Sequence, residues 1–130
     1  MNVGIIAHNS KKPLIEDFCI AYKNILAKHQ VYATGTTGRR IEEVTNLKIH
    51  KLLIGHFGGM QQMGSKISNN EIDLLIFLQD PANQKRTPDF YNVLSLCDKY
   101  NIPCATNLPT AEVLILALDR GDLDWRNMYK

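Results

Sequence analysis

Thr34-Gly35-Thr36-Thr37-Gly38 sets three hydroxyls and two glycines in five consecutive residues, directly after the apolar run Val31-Tyr32-Ala33. A strand passing into a helix would place them on the connecting turn. Gly35 and Gly38 let the backbone turn tightly and come close to a ligand. The N–H groups at the start of the next helix, with the positive end of its dipole, suit a phosphate dianion. Thr34, Thr36 and Thr37 add hydroxyl donors around it. The same composition serves a capping turn that holds nothing, so the turn alone leaves both open. Lys12, one turn beyond His8, supplies a cation that could neutralise the phosphate.

The elements that must position these groups read as short apolar runs alternating with longer amphipathic stretches. Val3 to Ala7 is apolar throughout, as a strand buried on both faces should be. Leu14, Phe18, Ala21, Tyr22 and Ile25 fall at helical spacing and predict a helix from about Pro13 to Lys28. Further strands are predicted at Val31–Ala33, about Ile49–Ile54, Leu74–Leu78 and Pro103–Thr106. Helices are predicted at about Arg39–Thr45, Gly58–Asn69, Pro88–Tyr100 and Thr110–Leu118. Strands alternating with helices imply an α/β fold, a five-stranded parallel sheet covered on both faces in three α/β/α layers. Ligands of such sheets bind outside the carboxyl ends of the strands. His8-Asn9, Thr34 to Gly38, Gly55-His56, Asp80 and Thr106-Asn107 should therefore converge on one crevice.

The 130 residues suffice for one domain, with residues from about 119 onward a largely polar tail. Lys and Arg number 15 against 13 Asp and Glu, spread along the chain, which does not suggest a nucleic-acid protein. No apolar run approaches the roughly 20 residues that span a bilayer, and the first residues lack a signal-peptide pattern. A cytoplasmic protein is expected. Cys19, Cys97 and Cys104 are read as buried thiols, and the four histidines lack metal-ligand spacing.

Several motifs occur in one order: Ala7-His8-Asn9 with Lys12, Ala33 to Gly38, Gly58-Gly59 with Gln61-Gln62 and Gly64, Ile72 to Phe77, Asp80-Pro81, and Asn101 to Asn107. Together they resemble the methylglyoxal synthase family over nearly the whole chain. The resemblance implies that family's α/β/α fold, a homohexamer, and conversion of dihydroxyacetone phosphate to methylglyoxal and phosphate without metal or organic cofactor. It also implies phosphate contacts from Lys12, Thr34, Thr36, Thr37 and the Gly55 N–H. It puts His8 beside the substrate, with Asp80 and Asp89 on the acidic side.

The resemblance is incomplete where protons move. The family's base is an aspartate directly after the double glycine, and here Met60 stands there. A thioether takes no proton at neutral pH. The family's histidine after the fourth strand corresponds to Arg86, which stays charged and cannot shuttle a proton. Asn9 stands for an aspartate and Ile54 for a serine that would donate to the phosphate. Three readings follow. In one, a synthase slowed by these replacements uses Asp80 as a substitute base and Arg86 for the enediolate. In the second, the chain is a non-catalytic regulatory protein that binds a phosphorylated metabolite. In the third, it is a lyase or isomerase for another sugar phosphate.

Overall fold

The structure, a computed structural model, describes residues 1–82 and 88–129. β1 (Asn2–Ala7) and β4 (Leu74–Leu78) form the middle of the sheet, and almost every residue of both is buried. β2 (Gln30–Ala33) and β3 (Ile49–Lys51) extend it on one side and β5 (Cys104–Ala105) on the other, in the order β3-β2-β1-β4-β5. Every pairing is parallel, with Ile5 opposite both Ala33 and Ile76.

Side chains alternate across the sheet, and this period of two divides the core. Ile5, Ile76 and Leu78 face Ile15, Ile41 and Ile115 of α1 (Lys12–Ala21), α3 (Gly35–Thr45) and α6 (Leu108–Asp119). Ile6, Leu75 and Phe77 face Met63, Ile67 and Val93 of α4 (Gly59–Ser68) and α5 (Pro88–Lys99). A short helix, α2 (Lys23–Leu26), follows α1. Among the described residues no helix is long and apolar enough to cross a membrane.

The expected fold is found, with shifted boundaries. The helix expected over 13–28 breaks at Tyr22, whose φ of −108° and ψ of 23° leave the helical region. β3 ends at Lys51 rather than Ile54, and α6 starts at Leu108 because Asn107 Oδ1 caps it, accepting from the Thr110 N–H at 3.1 Å. The largest shift concerns residues 35–38, which form the first turn of α3 rather than a loop before it. Gly and Thr are weak helix formers, and here tertiary contacts override propensity. The Gly35 N–H donates to Leu53 O at 3.1 Å, and a Cβ on Gly35 would stand 3.0 Å from Leu52 O.

The stretch from residue 119 on is also more built than its polarity suggests. Leu123 is buried, and so is Arg126. Its guanidinium donates to Asp73 Oδ1 at 3.1 Å, Asn101 O at 2.9 Å and Asn70 Oδ1 at 2.7 Å. Asp73 Oδ2 accepts from the Asn2 N–H, so the pair ties the tail to the starts of β1 and β4.

Candidate active site

At the carboxyl ends of the strands lies a cleft of about 790 Å³. One lip comes from the starts of α1 and α3. Lys12 is buried there, with Nζ donating to Ala7 O at 3.1 Å and Asn9 Oδ1 at 2.7 Å. Both acceptors are neutral, and among the described residues Lys12 joins no ion pair. Burial lowers its pKa, and the Arg40 charge lowers it further. Thr34 is the N-cap of α3, and Thr36 stands exposed one residue into the helix. Thr37 Oγ1 is buried without a hydrogen-bond partner, a state that costs about 1–3 kcal/mol. By helix geometry the first-turn N–H groups of Thr36 and Thr37 have no intrahelical acceptor. An anion at this lip would offset the buried ammonium, the orphan hydroxyl and the open amides together.

The floor of the cleft is His8, at the end of β1. Its Nδ1 accepts from the Asp80 N–H at 2.8 Å, so in the neutral ring the proton sits on Nε2. Phe77 packs edge-on to the imidazole, with centroids 5.7 Å apart. Asp80 follows β4, and both its oxygens are engaged. Oδ2 accepts from Ser10 Oγ at 2.8 Å and Oδ1 from the Ala82 N–H at 2.9 Å. The Ser10 bond, then the Ala82 bond, hold its pKa below the ordinary carboxylate value, with smaller help from Lys11 and His8. Asp80 therefore both lines the cleft and caps the turn into Pro81.

Ile54 and Gly55 follow β3, with Ile54 Cγ1 3.3 Å from an ideal Cβ on Gly35 at the first lip, and lead across the cleft into α4 on the other side. Gly58 precedes the helix with φ +111°, a conformation that favours glycine. A Cβ on Gly59 would stand 2.1 Å from Leu53 O, so only glycine fits. This tight turn delivers Met60 to the cleft, with its Cγ 3.9 Å from an ideal Cβ on Gly55. Gln62 Oε1 accepts from the Leu53 N–H at 2.7 Å, bracing the same turn. Gln61 Nε2 donates to Asp89 Oδ2 at 2.9 Å, joining the first turns of α4 and α5.

The cleft thus brings together His8, Lys12, Thr34, Thr36, Thr37, Ile54, Gly55, Met60, Asp80 and Asp89. Thr106 and Asn107 are not among its lining residues, and Asn107 is spent on capping α6. Gly35 is not on the lining either, and its N–H is already donated to Leu53. The glycine serves close packing against the chain after β3. Arg86 lies outside the described residues. Sequence reasoning passed over Ser10, which engages Asp80, and Phe90, which packs against Phe77 beside His8. A serine two residues after the strand-end histidine was the available signal for Ser10.

Comparison with known proteins fits this geometry. A family model described as "MGS-like domain" matches residues 15–106. The methylglyoxal synthase of Caldicellulosiruptor saccharolyticus is 57% identical over 129 residues, spanning 98% of this chain and 92% of the relative. The methylglyoxal synthase of Listeria welshimeri is 53% identical over 131 residues, spanning 100% of this chain and 98% of the relative. The chain belongs to the methylglyoxal synthase family.

The crystal structure of the methylglyoxal synthase from Elizabethkingia anophelis superposes with a TM-score of 0.83 at 34% identity, covering 88% of this chain and 76% of that one. The segment matched by the MGS-like domain contains Thr34 to Thr37, Ile54 to Met60 and Asp80 to Asp89. His8 and Lys12 precede it, and the Arg126 anchor follows it, yet the full-length synthase relatives span both.

Proposed function

We propose that this chain binds dihydroxyacetone phosphate by its phosphate and converts it to methylglyoxal and phosphate slowly. The observation that carries the reading is the buried Lys12 ammonium, held only by neutral oxygens, in one cleft with the unpartnered Thr37 hydroxyl. Lys12, Thr34, Thr36, Thr37 and the Gly55 N–H would hold the phosphate.

A base must then take a proton from the hydroxymethyl carbon beside the ketone, pushing electrons onto the carbonyl oxygen. The enediolate expels phosphate by C–O cleavage, and the resulting enol tautomerises to methylglyoxal. This chemistry requires no metal or organic cofactor. His8, with its proton on Nε2, is the donor suited to the enediolate oxygen. The base is the weak point. Met60 accepts no proton, and Asp89 is tied to Gln61. Asp80 is the remaining carboxylate of the cleft, and a lowered pKa makes it a weaker base. A missing positioned base costs about 10²- to 10⁴-fold in rate.

A second reading, a regulatory protein that binds a phosphorylated metabolite without turnover, draws on the same engagement of both Asp80 oxygens. For either reading we propose a cytoplasmic homohexamer. Exposed Trp125, Met128 and Tyr129 support burial against another copy.

Turnover of dihydroxyacetone phosphate, measured beside calorimetric binding of that substrate and of inorganic phosphate, tests the proposal. Both should bind, Lys12→Ala and Thr36→Ala should weaken both, and turnover should be at least about 10²-fold below an intact synthase assayed in parallel. Turnover equal to that synthase would overturn the impairment, and failure to bind phosphate would overturn the site.

A further inference from the structure

Cys97 and Cys104 stand apart from the cleft, and neither is among its lining residues. Cys97 sits in the last turn of α5, and Asn101, in the left-handed region at φ 55°, turns the chain back into β5 at Cys104. Two hydrogen bonds fix that return. The Ile102 N–H donates to Cys97 O at 2.9 Å, and Arg126 Nη1 donates to Asn101 O at 2.9 Å. Cys104 lies opposite Leu75 in the parallel register, and Ala105 lies opposite Ile76. Ala105 and Ile76 belong to the core under α1, α3 and α6, so Cys104 points to the other face, into the cluster that holds Cys97.

The two thiols meet there. The Cys97 S–H donates to the Cys104 sulfur, and this bond lowers the Cys104 pKa against the opposing effects of burial and of Asp98. The same bond, and then burial, push the Cys97 thiol up. Cys97 is almost fully covered and Cys104 only half-buried, so the sulfur better held as thiolate is also the more accessible one. Cys19 is the contrast within the chain. It is buried on the opposite face of the sheet, and burial pushes its thiol up to about 12.

We propose that Cys104 and Cys97 are a redox-active pair, in which hydrogen peroxide oxidises Cys104 and Cys97 then closes a disulfide between α5 and β5. The Cys104 thiolate attacks one peroxide oxygen, the O–O bond breaks, and the departing hydroxide takes up a proton as water. Cys104 is then a sulfenic acid, oxidised by two electrons. The Cys97 sulfur attacks it, the S–O bond breaks, and the thiol proton leaves with the hydroxyl as a second water. Mass spectrometry of the reduced full chain treated with hydrogen peroxide tests this. Alkylation after denaturation should label Cys19 alone, and peptide mapping should find a Cys97–Cys104 cross-link that dithiothreitol reverses. In Cys97→Ser, dimedone, which captures sulfenic acids, should label Cys104. In Cys104→Ser, Cys97 should oxidise at least about tenfold more slowly than in the wild type. A wild-type chain without the cross-link, at a peroxide dose that oxidises free dithiothreitol, would overturn the inference whether or not the variants fold. A cross-link through Cys19 or to a second copy, or a Cys97 that oxidises as fast without Cys104, would overturn it equally.

Discussion

The Asp80 N–H donates to His8 Nδ1 at 2.8 Å, while the Asp80 carboxylate accepts from Ser10 and Ala82. One residue therefore orients the imidazole through its backbone and closes its own turn through its side chain. Nitrogen NMR at neutral pH should find His8 in the Nε2-protonated tautomer. The opposite tautomer would remove it as donor to the enediolate.

Ser10→Ala removes the largest cause of the lowered Asp80 pKa. A carboxylate with a depressed folded pKa adds stability above its unfolded value, and that stability is lost as pH falls through the folded value. Wild type should therefore be more stable than Ser10→Ala at neutral pH, with the gap closing as pH drops below about 4. A gap that persists unchanged at lower pH would mean that the Ser10 bond acts by packing alone. Any residual turnover should fall in Asp80→Asn.

Lys12→Met should raise thermal stability at pH 7 while abolishing phosphate-induced stabilisation. The folded pKa of Lys12 lies below its unfolded value, so its charged form opposes folding at neutral pH, and stability from this group rises with pH between the two values. Removing the ammonium should cost about tenfold or more in phosphate affinity. Phosphate affinity of the wild type should fall as pH rises through the lowered pKa. Melting curves with and without phosphate check both, and a variant still stabilised by phosphate would move the anion site elsewhere.

Met60→Asp should raise turnover of dihydroxyacetone phosphate by about 10²-fold or more, and pairing it with Arg86→His should raise it further. Gly58 at φ +111°, the Gly59 fit against Leu53 O and the Gln62 brace hold position 60 at the cleft whatever its side chain. Wild-type turnover equal to an intact synthase, abolished by Met60→Asp, would sink this account.

Arg126→Ala should destabilise the chain by about 3–5 kcal/mol, because it removes the counter-charge of the fully buried Asp73 carboxylate. Urea denaturation measures it, and a loss under about 1 kcal/mol would show that Asp73 finds other partners.

The sheet was legible because β1 and β4 are apolar at every position that must meet a helix, and the polar residues just beyond strands mark the ligand end. The start of α3 was not, since Gly-Thr-Thr-Gly has poor helix propensity and its helical form depends on Leu52 and Leu53, which follow another strand. Lys12 was visible as a cation, but its lack of a carboxylate partner is a three-dimensional property. The Arg126–Asp73 pair joins residues 53 apart, with nothing local to either to announce it.

Four of the five proposed phosphate contacts, Lys12, Thr34, Thr36 and Thr37, stand at the starts of α1 and α3, whereas Met60 starts α4, on helices that pack against opposite faces of the sheet. Ligand anchoring and the position that faces the reacting carbon thus rest largely on separate stretches of chain, and a substitution that alters one leaves the scaffold of the other in place.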